Sequence, residues 1–315
     1  LAKVEVASSS LVIRSIFYPT DRACSILFLL FCGIGGIKMA ADLHCHTKLS
    51  DGSVPVDELI MLAKGSGLST IALTDHDTFS GVKTAQSLGE RVGLEVIPGA
   101  EVSCFDNKRH RLVHILCYYP DKPEVFDTVF ADIAESRKKE VTLALEKIMK
   151  YYPITPEMVQ RRAQGSVTIF KQHIMQTLLD SGYTDKIYGE LYKELFGYKT
   201  GIARTNIKYP DAFEILDMIH RAGGVAVLAH PSVYDSIDFL PELAEKGLDG
   251  VEYSFPRRKP GEDKILDEIV KQYDLIKTGG TDFHGGSTSH VHPIGTCTTD
   301  DDQLARLKET LNKSR

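Results

Sequence analysis

ADLHCHTKLSDGSVPVDELIMLAKGSGLSTIALTDHD, residues 41–77, holds the pattern on which the fold turns. It reads as strand, helix, strand. Residues 41–46 and 69–74 are short and apolar, and Pro55 opens a helix over 55–65 as a first-turn proline. The first strand ends in imidazoles, His44-Cys45-His46, and the second in imidazole between carboxylates, Asp75-His76-Asp77. The unit recurs along the chain, with strands expected at 94–100, 112–118, 225–229, 249–254 and 275–280 and helices at 79–91, 211–222, 238–246, 262–273 and 302–313. Apolar strands alternating with amphipathic helices favour parallel βα units over an all-β or all-α fold. Seven such strands predict an α/β barrel.

Between 121 and 206 the alternation stops. This stretch is helix after helix, punctuated by Pro153, Pro156 and Gly182, and over 124–150 the apolar positions Val125, Val129, Ile133, Leu145 and Met149 recur among charges as on a surface helix. The expected organisation is therefore a barrel in two parts, 39–120 and 207–315, with 121–206 inserted as a helical lid over the end where substrate-holding loops gather. Residues 1–38 carry no candidate ligand and include an apolar run, Ser25 to Ile37, too short for an ordinary membrane span. Arg22 before that run suits a signal peptide, but the chain starts with Leu, Met39 stands just before the first strand, and no small-residue cleavage site follows. The segment is expected to be an extension or mistranslated leader, with the folded protein starting near Met39.

The 315 residues are 43% hydrophobic and 25% charged, which suits a soluble protein with one large core. A net charge of −6 argues against broad polyanion binding through a basic face, and the chain lacks a basic stretch interleaved with aromatics. No dedicated DNA-binding surface and no membrane association are expected. The six cysteines form no CxxC pair, so free thiols in a reducing, cytoplasmic compartment are expected. Cys45 points away from its neighbours His44 and His46 in a strand and reads as a small buried side chain.

Nine potential ligands fall near strand ends: His44, His46, Asp51, His76, Glu101, His114, His230, Asp282 and His284. His44 and His46, two apart on a strand, project from one face and can share an ion. Asp51 sits in the turn that follows. Asp75 or Asp77 is placed to orient His76 and fix its tautomer. Any one of these histidines alone is more often a satisfied core or surface residue; the convergence of the whole set is what points to a multinuclear metal site and to hydrolysis. By contrast, His220 reads as structural on a helix, His110 as solvated in a charged turn, and His290 and His292 as rim residues.

In order along the chain, Asp42-Leu-His-Cys-His-Thr47 with Ser50-Asp51-Gly52, Thr74-Asp75-His76-Asp77, Gly99-Ala-Glu101-Val-Ser103, His114-Ile-Leu, Ala229-His230-Pro231 and Thr281-Asp282-Phe283-His284 resemble the PHP family, named for polymerase and histidinol phosphatase, within the amidohydrolase-like metallohydrolases. The resemblance implies a distorted (β/α)7 barrel with an inserted helical subdomain and a di- or trinuclear centre. It is strongest to the subgroup that removes phosphate from nucleoside 3′,5′-bisphosphates or 5′-phosphorylated short RNA. It implies one ion on His44, His46, Glu101 and Asp282, a second sharing Glu101 with His114 and His230, and a third on Asp51, His76 and His284. The subgroup's Arg-x-His of the inserted domain falls on Lys171 and His173, where lysine loses the two-pronged geometry of arginine.

The expected enzyme is thus a hydrolase of phosphoric esters using two or three divalent ions. Nitrogen and oxygen donors without thiolate suit Mn, Fe or Zn. A water bridging two ions ionises near neutral pH and would attack phosphorus as hydroxide. Asp282, His230 and His173 are the catalytic candidates; Lys171, His173, Arg257 and Arg258 are the substrate contacts, and a small phosphorylated nucleotide or short RNA is the partner. Alternatives are a histidinol-phosphate phosphatase, a cyclic phosphodiester hydrolase, or a non-catalytic structural module, against which the complete donor set argues.

Overall fold

The computed structural model describes residues 40–288, 290 and 292–313. The expected extension over 1–38 lies outside the described residues. Seven strands, β1 (Ala41–Cys45), β2 (Thr70–Leu73), β3 (Glu95–Asp106), β4 (Arg111–Tyr118), β5 (Val225–Leu228), β6 (Gly250–Ser254) and β7 (Ile276–Gly279), pair in chain order into one sheet. Just past β7 the chain pairs back onto β1: the Phe283 N–H donates to the His44 carbonyl (3.1 Å) and the His46 N–H to the Phe283 carbonyl (2.8 Å), so the sheet curls into a nearly closed barrel. Gly280 permits that approach. A Cβ there would lie 2.3 Å from the Cβ of His44, so no larger residue fits without opening the seam.

Two departures from the expected pattern matter for the site. β4 runs antiparallel to both β3 and β5, whereas parallel units were expected throughout. Only Asn107–His110 separates β3 from β4, and a parallel return needs a crossover of a dozen or more residues, so a hairpin is the sole geometry available. That hairpin lengthens β3 well beyond the expected end at residue 100, pairing Glu101 with Leu116 and Asp106 with Arg111. Glu101 and His114 therefore sit within strands and not at their ends.

Inward side chains from successive strands fill the barrel: Leu43, Ala72, Ile97, Leu116, Val227 and Ile276 form one apolar cluster, into which Tyr118 also packs while donating to the Leu43 carbonyl (2.7 Å). Each such aliphatic side chain, once buried, contributes about 1.5–3 kcal/mol. Helices α1 (Val56–Gly65) and α2 (Val82–Val92) cover the outer face of β1–β3, with Leu59, Ile60 and Ala85 against Ile71, Leu73 and Val96. Cys45 belongs to this outer layer, as expected.

Between β4 and β5 run α3 (Asp127–Ile148), α4 (Pro156–Arg162), α5 (Lys171–Asp180) and α6 (Glu190–Phe196). They enclose an apolar cluster of their own, including Ile148, Val159, Ile174 and Leu195. They also touch the barrel mouth, where the Val167 N–H donates to the Leu49 carbonyl (2.9 Å) and the Ser166 hydroxyl to that of Ser50 (2.7 Å). Then α7 (Ala212–Arg221), α8 (Leu240–Glu245) and α9 (Glu262–Tyr273) cover β4–β6, and α10 (Asp301–Lys313) adds Leu304 and Leu307 to the barrel interior. No helix among the described residues is long and apolar enough to cross a membrane.

Candidate metal centre

A bulge in β1 sets the stage. Asp42 pairs with Ile71 but Cys45 with Leu73, so three residues of β1 span two of β2. The extra residue lets Leu43 fill the barrel while His44 and His46 both face its mouth. The turn after β1, closed by the Gly52 N–H on the Thr47 carbonyl (3.0 Å), returns Asp51 to the same opening. His76 follows β2, His230 follows β5, and Asp282 and His284 flank the seam residue Phe283. His230 (φ 24°) and Asp282 (φ 52°) hold left-handed backbone that non-glycine residues avoid, strain of order 1–3 kcal/mol each that recurs at functional sites.

Glu101 is the hub. Its Oε1 lies 2.6 Å from both His114 Nδ1 and His230 Nε2, and its Oε2 3.2 Å from His44 Nε2, His46 Nε2 and His76 Nδ1. Asp282 Oδ1 is 3.5, 3.4 and 3.4 Å from His44 Nε2, His46 Nε2 and His284 Nδ1, and Asp51 Oδ1 is 3.2 Å from His284 Nε2 and 3.9 Å from His76 Nε2. Bonds of about 2.0–2.2 Å to a shared cation place ligand atoms about 3.0–3.5 Å apart, which is the spacing most of these contacts show. Among the described residues, three groups have donor atoms lying within 4.8 Å of one another: His44, His46, Glu101 and Asp282; His46, Asp51, His76 and His284; and His76, Glu101 and His114.

The donors also fit a cation by what they lack. His44 Nε2, both ring nitrogens of His46, Asp51 Oδ1, His76 Nδ1 and Glu101 Oε2 are buried without a hydrogen-bond partner. Such orphans are costly unless something else satisfies them, and every residue that carries them belongs to one of these donor groups. Burial would raise the Glu101 carboxyl, but the charges of His114, His76, His44 and His230 override it and hold it well below the usual range. Burial likewise opposes protonation of His46, yet the carboxylates of Asp282 and Glu101, 3.4 and 3.2 Å from its Nε2, lift it to about 10. His76 is pushed down by its burial. The carboxylates thus demand positive charge at this point, whether as protons or as metal.

Several residues that the sequence did not single out support the donors. Glu252 on β6 accepts from His44 Nδ1 (3.0 Å) and from the His230 backbone N–H (2.7 Å), fixing both. Asp42 accepts from Thr281 through N and Oγ1 (2.9 and 2.5 Å), anchoring the residue before Asp282. A carboxylate inside an apolar strand is the available signal for each. Neither Asp75 nor Asp77 orients His76 as expected: Asp75 takes the Thr47 N–H and hydroxyl (2.8 and 2.7 Å), and Asp77 takes the Ser103 N–H and Arg137 (2.8 and 2.6 Å).

Arg137 of α3 is buried beside the centre, its Cζ 4.5 Å from the Phe170 ring and its Nη1 without a partner. With Lys171, Tyr192, Tyr209 and Tyr234 it lines a cavity of about 240 Å³ that reaches Asp51, His76 and His114. Arg137→Met would strand the Asp77 charge and should lower stability by about 3–5 kcal/mol in urea unfolding, with Asp77→Asn restoring much of it; a loss under about 1 kcal/mol would contradict the pairing. Burial, then the Arg137 charge, pull Lys171 down to about 8. His173 is buried, accepts the Phe170 N–H on Nδ1 (3.1 Å), and is held near 4 by burial.

Across Asp282 and His284 lies a second cavity of about 440 Å³, lined by Arg257, His290 and His292 among others. Arg257 bonds Asp282 Oδ2 (2.5 Å), while Arg258 turns aside to the Tyr253 ring (4.9 Å) and carbonyl. His220 pairs with Asp249 (3.0 Å) and His110 is exposed in its turn, as expected.

Comparison with known proteins agrees with this geometry. Residues 42–219 match the PHP domain model. The chain is 35% identical over 257 residues, 80% of its length and 98% of the relative's, to a phosphoribosyl 1,2-cyclic phosphate 1,2-diphosphodiesterase of Eggerthella lenta. It is 31% identical to the 5′-3′ exoribonuclease Rnm of Escherichia coli over 77% of this chain and 84% of that one. Among solved structures, a protein described as a metal-dependent phosphoesterase from Bifidobacterium adolescentis superposes with a TM-score of 0.78 at 28% identity, covering 86% of this chain and 96% of its own. The chain belongs to the PHP-domain family and is a hydrolase of phosphoric ester bonds.

Proposed function

We propose that this protein hydrolyses a phosphate ester of a small nucleotide-like molecule, such as a nucleoside 3′,5′-bisphosphate or a 5′-phosphorylated short oligonucleotide, at divalent ions held by the nine donors. One observation carries the reading: orphaned imidazole and carboxylate atoms converge where a cavity bearing Lys171, Arg137 and three tyrosines opens onto them. The donor set suits two or three ions, Mn, Fe or Zn. When bound, such ions supply a solvent-derived nucleophile and neutralise charge on the phosphoryl oxygens.

The chain's own residues do the rest. Lys171 and the unpartnered Nη1 of Arg137 bind phosphoryl oxygens, and the tyrosine rings flank the remainder of the ester. Glu252 keeps His44 and His230 in their ligating orientation. The helices over 121–206 act as a lid that excludes water. His173, neutral at physiological pH, orients the start of α5 and with it Lys171. The four described cysteines are free thiols, which suits a reducing compartment.

Lys171 gives a pH signature. It is cationic below about 8 and neutral above, so kcat/KM should fall as pH rises through that value. Lys171→Arg should move this limb to higher pH, and Lys171→Met should remove it while lowering kcat/KM about 10-fold or more, the scale of one charge-assisted hydrogen bond. A limb unchanged in both variants would exclude Lys171 from phosphate binding.

A second reading, hydrolysis of a ribosyl 1,2-cyclic phosphate, is favoured by the 35% identity to the Eggerthella lenta enzyme. Product analysis with metal-loaded protein separates the readings: inorganic phosphate from adenosine 3′,5′-bisphosphate or histidinol phosphate, phosphate or a mononucleotide from a 5′-phosphorylated short RNA, and a ring-opened phosphomonoester from phosphoribosyl 1,2-cyclic phosphate. Turnover of none of them would sink both.

A further inference from the structure

We propose that Tyr234 is a catalytic residue of this centre and donates its phenolic proton to the leaving oxygen of the ester. The proposal rests on the phosphoesterase reading above and supplies a group that reading lacks, since an alkoxide is too basic to depart readily without a proton. Lys171 and Arg137 carry positive charge suited to the phosphoryl oxygens, which are anionic throughout the reaction. The leaving oxygen gains charge only as its bond to phosphorus breaks. A neutral donor already in place answers that need.

Local structure singles out Tyr234 for the role. The chain leaves β5 at His230 and turns at once, with the Val233 N–H on the His230 carbonyl (2.9 Å) and the Ser236 N–H on that of Pro231 (2.8 Å). Tyr234 is thereby folded back onto the centre. Its ring meets that of His114 edge to face at 4.8 Å and tilts against that of His230 at 5.7 Å. These are the imidazoles that share Oε1 of Glu101. Tyr192 and Tyr209 line the same cavity but make no such contact among the described residues: Tyr192 packs on Tyr188 and Phe196, and Tyr209 lies beside the Arg137 guanidinium.

The Tyr234 hydroxyl is also uncommitted. It has no hydrogen-bond partner among the described residues, whereas the Tyr188 hydroxyl accepts from the Gln172 amide (2.8 Å). Burial is the main influence on the Tyr234 hydroxyl and pushes it up, so the proton stays in place at any working pH. The largest effect of any charge on that oxygen comes from Glu101, which places it toward the hub of the donors. In the step itself, the oxygen of a solvent-derived hydroxide bonds to phosphorus while the scissile P–O bond breaks and leaves its electron pair on the ester oxygen. That oxygen takes the Tyr234 proton and departs as an alcohol, and water then reprotonates the phenolate. Ring contacts with His114 and His230 hold the donor in position without a hydrogen bond that the step would have to break.

Esters that share a phosphoryl group and differ in leaving group test this. p-Nitrophenolate departs without a proton, phenolate less readily, and a ribose alkoxide needs one. On metal-loaded protein, Tyr234→Phe should lower kcat/KM by about 10²-fold or more on adenosine 3′,5′-bisphosphate, by less on phenyl phosphate, and by under about threefold on p-nitrophenyl phosphate. Metal content by elemental analysis and the thermal midpoint should match wild type, because Phe keeps the ring on His114. A role in packing alone predicts another pattern, with Tyr234→Phe as active as wild type on every ester and Tyr234→Leu impaired on all of them. That pattern, an equal loss of Tyr234→Phe activity on all three esters, or loss of metal from Tyr234→Phe overturns the proposal. Should wild type cleave the aryl esters alone, the nucleotide reading falls, and the graded loss between phenyl and p-nitrophenyl phosphate decides the role of Tyr234 by itself. Turnover of none of the three by wild type overturns the step together with the reading it rests on.

Discussion

Glu101→Ala should leave a folded protein with phosphate release lowered by at least about 10³-fold and with most of its metal gone. Removing a partner that merely orients a ligand typically costs 10–100-fold, and Glu101 is far more central than that. Its two oxygens face five imidazoles, from His44, His46, His76, His114 and His230, so no other side chain can replace its contribution to both halves of the centre. Glu101→Gln is the sharper variant. It keeps the volume and the hydrogen-bonding shape but offers a neutral donor, so it should fold as wild type and still lose metal. Elemental analysis beside a phosphate-release assay reads both effects. Activity within tenfold of wild type, with metal retained, would mean that these imidazoles and carboxylates are not a metal centre.

Stripping the metal should abolish turnover, with recovery on adding back Mn or Zn, and should also cost stability. A ligand held at 100 times its dissociation constant stabilises the folded state by about 2.7 kcal/mol, and a shift of that size moves the midpoint of a chain this long by roughly 5–10 °C. The pH dependence carries a definite sign. In the metal-free protein, His46 is raised from 6.5 to about 10 by its acidic partners, against the effect of burial. A raised folded-state value means stability that is complete below pH 6.5 and is lost as pH climbs through 10. Metal must displace those protons, so its affinity rises over the same window. Thermal midpoints of the two forms should therefore separate as pH increases; convergence instead would mean that protons and metal do not compete for these atoms.

The donors were legible because ligands are chemically distinctive and recur after apolar strands, and the resemblance rested on the same residues. Their grouping was less so. His46 falls in two donor groups, one with Asp282 and one with Asp51, just past the bulge in β1, and a bulge leaves no reliable mark in the sequence of a five-residue strand. The reversal of β4 was hidden because the expected strands, 94–100 and 112–118, left eleven residues between them; only with β3 running on to Asp106 does the gap shrink to four residues and leave room for a hairpin alone. Arg137 was hidden for another reason. It lies in a run of charges, Arg137-Lys138-Lys139-Glu140, where composition suggests solvent and only the tertiary placement of α3 turns one guanidinium inward. Asp75 and Asp77 show the converse error: proximity in sequence to His76 suggested a partnership, but adjacent side chains in an extended segment diverge, and each acid found a hydroxyl instead.

The strand pairing at Phe283 has a mechanical corollary. Its backbone bonds to residues 44 and 46 join the first and last staves of the barrel, and the side chains on either side of those bonds, His44 and His46 on one stave and Asp282 and His284 on the other, are those that would grip a cation. An ion there behaves as a rivet through the joint: fraying of that edge and release of the ion become one event, so slow hydrogen exchange at the amides of His46 and Phe283 would report occupancy as directly as catalysis does.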